Sequence, residues 1–302
     1  MRSCTSTFSR ALAVAVLLAC AEARAQACCA GGGLLAPARL TVHEDALVAL
    51  EARSGVEAGS IDGVGRFRGN ARGAGGIELT QSLLGTLRVL REGQVTLLVP
   101  VTERGLWASG LTDWGGGLGD VVLSFRYDFM LAGESVRIPG LALLAGITFP
   151  TGRSPDQGRN PLGSDATGAG QWQGALGLGV EQTVGRVFLQ GSGLVQQGLP
   201  RTASGVTETL GTTFSVGLAA GWAFDSGAAI AATATTAASL PAWVDGMVAS
   251  GTSRWRSTFG LSGAIPLSDT WRLQGSLATQ LPFGVNQPVS TTLSVLVMRT
   301  WS

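Results

Sequence analysis

His43 is the only histidine in the 302-residue chain, so any chemistry that needs an imidazole base must use it. A Ser-His-Asp or Ser-His-Asn hydrolase requires this base next to its nucleophile, because the imidazole takes the proton of the attacking hydroxyl. His43 instead stands beside Glu44 and Asp45, ahead of the first predicted strand. We expect it in a solvated or plug position, which argues against a hydrolase.

Three carboxylates, Asp113, Asp120 and Asp128, could belong to an acid protease or a Ca²⁺ site. Asp120 and Asp128 are better explained as lumen-facing partners of other arginines and of Arg126, which lies on the same face of a predicted strand. The glycine run at 115–117 precedes a strand and not a helix, so it does not predict a nucleotide-binding loop. We therefore predict no catalytic, cofactor or metal site.

The composition is poor in charge. Charged residues make up 14% of the chain and hydrophobic residues 45%, whereas an average soluble domain has about 25% charged residues. So few charges cannot cover a water-facing surface of this size. The net charge is +1 and no basic patch occurs, which argues against nucleic acid as a partner.

The N-terminus has the features of an export signal. Two arginines precede an apolar core at residues 11–19, and residues 23–25 form an A-x-A cleavage motif. The apolar stretch is shorter than the about 20 residues that a membrane-spanning helix needs. We expect a signal peptide at residues 1–25, cleaved to leave Gln26 at the mature N-terminus.

A competing interpretation of the same region is lipidation. Residues 17–20 resemble a lipobox, in which Cys20 would become the lipidated N-terminus. Cleavage after Ala25 would instead leave Cys28 and Cys29 as the only cysteines. These two could form a strained vicinal disulfide, pair between chains, or be a small apolar pair in a flexible segment. They predict no metal site, because no C-x-x-C motif and no second ligand cluster occurs.

Hydrophobic residues alternate with polar ones along much of the chain. In residues 118–129 an apolar face with Leu123 and Phe125 alternates with a polar face that carries Ser124 and Arg126. Successive side chains of a strand point to opposite faces, so this pattern predicts a strand between an apolar and a polar environment. Most such segments are long enough for a tilted membrane strand of about 9–11 residues. The twelve predicted segments are 44–54, 75–90, 94–106, 117–130, 138–150, 170–183, 187–198, 209–224, 227–239, 254–266, 270–283 and 289–301.

The connections between these segments alternate in length. The short ones are 91–93, 185–186, 225–227 and 268–269, with a somewhat longer one at 132–137. The long ones are 55–74, 107–116, 151–169, 199–208, 240–253 and 284–288. Outer-membrane barrels have short periplasmic turns and longer external loops, and an even number of strands puts both termini in the periplasm. A soluble β-sandwich would carry more charge and would not place every long loop on one side.

The pattern therefore predicts an all-β fold, a closed antiparallel transmembrane β-barrel of about 12 strands, preceded by a cleaved signal peptide. Residues 26–43 would form an N-terminal periplasmic segment and residues 44–302 the barrel. Lipid offers no hydrogen-bond partners, so the sheet must close without a free edge.

The polar faces of the strands would then line the lumen, since a one-residue slip would put their charges into hydrocarbon. The predicted lumen-lining residues are Glu78, Arg88, Arg104, Asp120, Arg126, Asp128, Glu181, Arg254, Arg256 and Arg272. This mixture of charges predicts weak ion selectivity. The tryptophans near predicted strand ends suit an interfacial girdle: Trp107, Trp172, Trp222, Trp255, Trp271 and Trp301.

Two motifs carry a resemblance. A GLGD sequence at residues 117–120 is followed by Tyr127 in the same strand, and TFPTG at 148–152 is followed, after a loop, by GQW at 170–172. They resemble an outer-membrane barrel family linked to meta-pathway phenol degradation and loosely to transport, which is distantly similar to the long-chain fatty-acid transporter barrels. The resemblance extends from Leu40 onward. It implies a barrel and passive uptake of small hydrophobic or aromatic molecules.

Three functions are compatible with these features. The first is an outer-membrane channel or transporter for passive passage of small solutes, and the second is a structural or anchoring barrel with a plugged lumen. The third, a barrel enzyme such as a phospholipase, is disfavoured because no histidine lies in a predicted strand. Barrels of about eight strands have filled interiors and those of about sixteen leave a channel. A count of twelve strands therefore does not show whether the lumen is open. The expected location is the outer membrane of a Gram-negative-type bacterium, with membrane lipid and a small solute as partners.

Overall fold

The computed structural model describes residues 38–302 except Glu134, Val136 and Ser204, and it confirms the predicted all-β fold. Twelve long antiparallel strands form one closed barrel, in which the fourth strand has two segments. Each overlaps a segment predicted from the alternation. The strands are β1 Ala46–Ile61, β2 Gly75–Leu90, β3 Gly93–Ala108, β4 Leu111–Leu118 with Val121–Met130, β5 Gly140–Phe149, β6 Gln173–Val184, β7 Val187–Gly198, β8 Thr213–Ala223, β9 Ala229–Ser239, β10 Arg254–Pro266, β11 Trp271–Val285 and β12 Gln287–Trp301.

The first and last strands close the barrel. Their antiparallel pairing runs from Ala46 opposite Trp301 to Ile61 opposite Gln287, and the other barrel strands pair with their neighbours in sequence. A closed ladder has no unpaired edge, which is the condition for a sheet to cross lipid. In the described part of the chain, no helix is long and apolar enough to cross a membrane.

The outer face of the barrel is apolar. On β6, Leu176 and Val180 point outward and are exposed, whereas the neighbouring Glu181 points inward and is 6% exposed. This alternation repeats around the barrel and produces an outer belt of Val, Leu, Ile and Phe side chains. Such a belt is what the bilayer requires of a spanning strand, so the chain is a transmembrane barrel of the outer-membrane type.

Aromatic rings lie at both rims of this belt. At the end that carries the short turns, Arg299 lies over the rings of Trp271 and Trp301, at 5.6 and 5.0 Å from their centroids. At the opposite end, Trp255 and Phe283 form an edge-to-face pair with centroids 6.4 Å apart. Amphipathic rings of this kind are typical of the two membrane–water interfaces.

Two connections that were predicted as long loops are strand hairpins. β3 and β4 continue as a paired ladder to a turn at Ser109 and Gly110, and Asn286 alone joins β11 to β12. These three residues have positive φ angles of 51°, 82° and 50°, the left-handed conformation that tight hairpin turns use. The predictions at 107–116 and 284–288 are wrong because glycine and proline lower strand propensity without preventing backbone pairing.

The other external connections carry structure of their own. The loop at 150–172 contains a short 3-10 turn at Pro155–Gln157, and a short strand at Phe67–Gly69 pairs with the end of β1. Two further loops contribute four short strands that form a small sheet apart from the barrel: Arg201–Ala203, Val206–Thr209, Trp243–Val244 and Met247–Val248.

Candidate functional site in the barrel lumen

The chain that precedes β1 lies inside the periplasmic end of the barrel. Ala38 and Leu40 are each 4% exposed and pack in one cluster with Leu47, Leu84 and Met298, whose side chains point inward from the barrel strands. The Leu40 amide also donates a hydrogen bond of 2.9 Å to the side chain of Gln94 on β3. This segment, residues 38–45, is called the plug segment below. It occupies the periplasmic half of the lumen.

Buried ion pairs hold the plug segment to the barrel wall. Arg39 pairs with Glu181 on β6, which also accepts a 3.0 Å bond from Arg126 on β4. Arg126 in turn lies 2.7 Å from Asp128. All four side chains are 8–14% exposed. Burying a charge is costly unless it is paired, so the alternation of arginine and carboxylate is what allows these charges to share a narrow space.

A second group of arginines binds the segment just before β1. Glu44 accepts a 2.8 Å bond from the Thr41 amide and pairs with Arg272 on β11. Arg88 on β2 donates to the backbone carbonyls of Glu44, at 2.9 Å, and of Thr41. His43 lies between these anchors and is itself exposed.

The external half of the lumen is open. A cavity of about 310 Å³ is bounded by inward-facing side chains of seven barrel strands. Its described lining is mostly uncharged and polar. Among these described residues Arg256 is the one that is charged, and no carboxylate is present. The lumen therefore has two different halves. In the periplasmic half the plug segment is present and the buried charges are paired, whereas the external half is open and has a surplus of positive charge.

An external loop reaches the mouth of this half. Arg104 on β3 pairs with Glu78 on β2 at 2.7 Å and also donates a 2.7 Å bond to the carbonyl of Ala166, which belongs to the loop at 150–172. The loop is held further by Arg201, which lies 2.7 Å from Asp156. The loop thus packs against inward-facing residues.

The prediction that Asp120 pairs with Arg126 is wrong. Asp120 accepts hydrogen bonds from the amides of Gly152, at 3.0 Å, and Ala169, at 2.7 Å, and so fastens both ends of the same loop. A β-carbon at Gly168 would lie 2.3 Å from the Asp120 carboxylate, so glycine is required for this close approach. The GLGD and TFPTG motifs, singled out for their resemblance, meet here as an anchor for the external loop.

Asp165 stabilises the loop from within. It accepts bonds from the amides of Arg159 and Asn160, at 2.9 and 3.2 Å, and pairs with Arg153 at 2.7 Å. The bond from the Arg159 amide, followed by the Arg153 contact, lowers the pKa of Asp165 from 3.8 to about 2. The loop therefore depends on this carboxylate remaining ionised.

The predicted lumen residues fall into three groups. Those in ion pairs are Glu78, Arg104, Arg126, Asp128, Glu181 and Arg272, together with Arg88, which lies 3.8 Å from Asp45. Arg254 and Arg256 lie on the inward face of β10 by register with β9. Asp120 lies at the external rim. The described residues contain no group of three or more His, Cys, Asp or Glu that could hold a metal ion.

Sequence reasoning missed several lumen residues. Arg39 and Glu44 precede the strands and follow no alternation, so no pattern pointed to them. Arg53 could have been predicted from the same alternation of faces along a strand, because it pairs with the buried Thr80 on the inner face. The alternation places Gln280 on the polar face of segment 270–283, but its uncharged side chain did not single it out.

At least one solved structure shares this architecture. No family model and no curated protein matches the sequence. Among solved structures, the COG4313 outer membrane channel from Pseudomonas putida F1 matches with a TM-score of 0.72 and 13% identity, over 86% of this chain and 96% of that one. The translocator domain of the autotransporter NalP from Neisseria meningitidis matches with a TM-score of 0.48 and 13% identity, over 85% and 88% of the two chains.

The first of these likenesses shows a shared fold. It confirms, at the level of the fold, the resemblance to an outer-membrane barrel family. Together with the closed barrel and its apolar belt, it also confirms the predicted location in the outer membrane of a Gram-negative-type bacterium.

Proposed function

We propose that this protein is an outer-membrane channel for the passive passage of small solutes, with the ten charged residues predicted for the lumen lining or bordering its path. The observation that carries this proposal is the open external half of the lumen, with its cavity of about 310 Å³. A purely structural barrel has no need for such a space, because side chains can fill the interior of a narrow barrel. The P. putida protein of the same fold is named as a channel, which supports the proposal.

The plug segment favours a second candidate function, a structural or anchoring barrel. It closes the periplasmic half with buried ion pairs. Passage then requires the segment to move, whereas an anchoring barrel would keep it in place. The two candidates differ in one measurable property, the permeability of membranes that contain the full chain.

The test is solute entry into liposomes that contain the purified full chain. Liposomes that contain a channel should admit small sugars faster than protein-free liposomes do. Ala237→Trp would insert a large ring into the cavity that Ala237 lines, and it should slow entry. The matched control is Ala238→Trp, because the next residue of β9 points outward and is exposed to lipid. It should leave entry unchanged.

Entry no faster than in protein-free liposomes, for the wild type and both variants, would reject the channel and leave the anchoring barrel. Hydrolysis of phospholipid in the same liposomes would reject both in favour of an enzyme.

A further inference from the structure

Three arginines of the external half have no ion-pair partner among the described residues. Arg53, Arg254 and Arg256 form no ion pair with any carboxylate in the described part of the chain. Their positive charges act on one another, with Arg53 and Arg254 both felt at Arg256. Glu51, two residues from Arg53 on the same face, is near enough to attract it but not to pair with it. The cluster is positive overall.

Arg256 is the member of the cluster that lines the cavity. The barrel wall encloses it on most sides, yet its side chain remains open to the lumen. Like charges held together in a partly enclosed space repel each other strongly, since the surroundings screen them less than bulk water does. An anion among them would relieve this repulsion.

An irregularity in the sheet lies beside Arg256. The pairing of β10 with β11 shifts between Arg256 and Thr258, opposite Gly284 and Gln280. Gly284 has a φ of 138°, and a β-carbon there would lie 2.1 Å from a backbone oxygen of β10. Bulges of this kind commonly redirect side chains beside binding sites.

Gln280 supplies a second, independent observation. Its side chain lines the same cavity, and its Oε1 atom is buried without a hydrogen-bond partner in the described protein. A buried acceptor of this kind needs a donor. The donor comes from the cavity, as water held beside a bound molecule or as a hydroxyl or N–H group of that molecule.

The remaining lining suits a small organic molecule. Val122, Leu194 and Ala237 give the cavity an apolar side, and Thr148 and Ser215 add hydroxyl groups. Its volume of about 310 Å³ lies at the lower end of the range for ligand sites, about 300–1,000 Å³. A compact molecule with one charged end fits this combination.

We infer that the external half of the lumen is a binding site for small carboxylates with a compact apolar body. The guanidinium of Arg256 binds the carboxylate through two parallel N–H bonds, with Arg53 and Arg254 adding attraction at longer range. The apolar body lies against Val122, Leu194 and Ala237. The inference rests on the proposed channel function, for which it specifies the solute class.

The test is equilibrium binding of benzoate to the refolded full chain in detergent, measured by calorimetry, with benzyl alcohol as the neutral probe of similar size. Arg256→Gln should weaken benzoate binding about ten- to hundredfold, the range expected for losing a charge-assisted bond. Binding of benzyl alcohol should not change. The matched control is Arg299→Gln, because Arg299 points outward onto Trp271 and Trp301 and should leave both probes unaffected.

Equal binding of benzoate by the wild type and Arg256→Gln would overturn the inference, and so would equal affinity for chloride and benzoate, since an unselective anion patch needs no apolar wall. Arg53→Gln replaces Arg256→Gln if the latter does not fold. Binding is measured without transport. Benzoate binding with no solute entry into liposomes would support the site and reject the channel. Entry of neutral solutes with no benzoate binding would support the channel and reject the site.

Discussion

The two halves of the lumen solve the problem of enclosed charge in opposite ways. In the periplasmic half, Arg39, Arg126 and Glu181 are nearly inaccessible and share their charges at hydrogen-bond distance. In the external half, Arg254 and Arg256 are exposed to the lumen and have no partner among the described carboxylates. Arginine thus has two roles in the same barrel. At the periplasmic end it stabilises the structure through ion pairs, and at the external end it is a charge without a carboxylate partner among the described residues.

The difference follows from water. An arginine that water can reach keeps most of its hydration and can remain without a carboxylate partner from the protein, whereas one packed against a plug must be paired. The plug segment creates the dry half, because it displaces solvent from the periplasmic end. Removal of the plug segment should therefore affect both halves, whereas a substitution within one half should affect only that half.

The largest effect is expected from deleting residues 38–43. This removes Ala38, Arg39 and Leu40 from the periplasmic half and leaves the strands intact. We expect a steady open-channel current in planar bilayers, where the full chain gives only brief openings. The control is the double variant Val42→Ser, His43→Ser, because both residues are exposed and should not open the pore. If the deletion conducts no more than the full chain, the external half closes the pore by itself.

A second large effect concerns the stability of the dry half. Glu181→Ala removes the carboxylate that Arg39 and Arg126 share, and breaking a buried pair costs about 3–5 kcal/mol of unfolding free energy. Asp225→Asn is the matched control, because its partner Arg186 is 51% exposed and such pairs contribute about 0–1 kcal/mol. Urea unfolding followed by tryptophan fluorescence measures both. Equal losses would mean that water reaches Glu181.

The contrast between the halves also explains what the sequence could predict. Alternation along a strand predicts which face carries Arg126, because lipid excludes charge from the other face. It cannot predict that Arg39 reaches Glu181 from 142 positions away, since the plug segment has no periodicity.

The hairpin turns and Asp120 were missed for a related reason. A left-handed residue such as Ser109 or Asn286 can turn a chain within one or two positions, and local composition does not indicate this. The carboxylate of Asp120 was assigned to an arginine by charge alone, whereas two backbone amides of the external loop are its partners. A pattern of charged residues does not predict hydrogen bonds from backbone amides.

A smaller, local effect is expected at the mouth of the open half in acid. The folded pKa of Asp165 is about 2, below its ordinary value of 3.8. Its hold on the loop is therefore complete above pH 3.8 and is lost as the pH falls through about 2. Pepsin should cut the loop at 150–172 readily at pH 2 and slowly at pH 4. Asp165→Asn should be cut at both.

The control for this experiment is Asp245→Asn, which removes a carboxylate acceptor from a different external loop and should not change cutting at 150–172. The barrel should still migrate in SDS gels as a folded, heat-modifiable species throughout. Loss of the folded band at pH 2 would show that acid acts on the whole barrel, and the loop would then carry no separate pH dependence.

The smallest effect compares one hydroxyl pair from each half. Thr86 and Thr96 lie 2.9 Å apart in the dry half, where Thr86 is fully buried. Thr213 and Ser239 lie 2.8 Å apart at the external end of the open half.

Thr86→Val leaves the buried hydroxyl of Thr96 without its partner and should lower the free energy of unfolding by about 1–3 kcal/mol. Adding Thr96→Val should recover most of the loss, because two apolar groups need no partner. Thr213→Val should cost less, about 0.5–1.5 kcal/mol at most, since water can take the lost partner's place. Urea midpoints of the three variants measure the difference. A loss as large for Thr213→Val as for Thr86→Val would mean that the external half is as dry as the periplasmic one, and the comparison on which the free charge of Arg256 rests would fail.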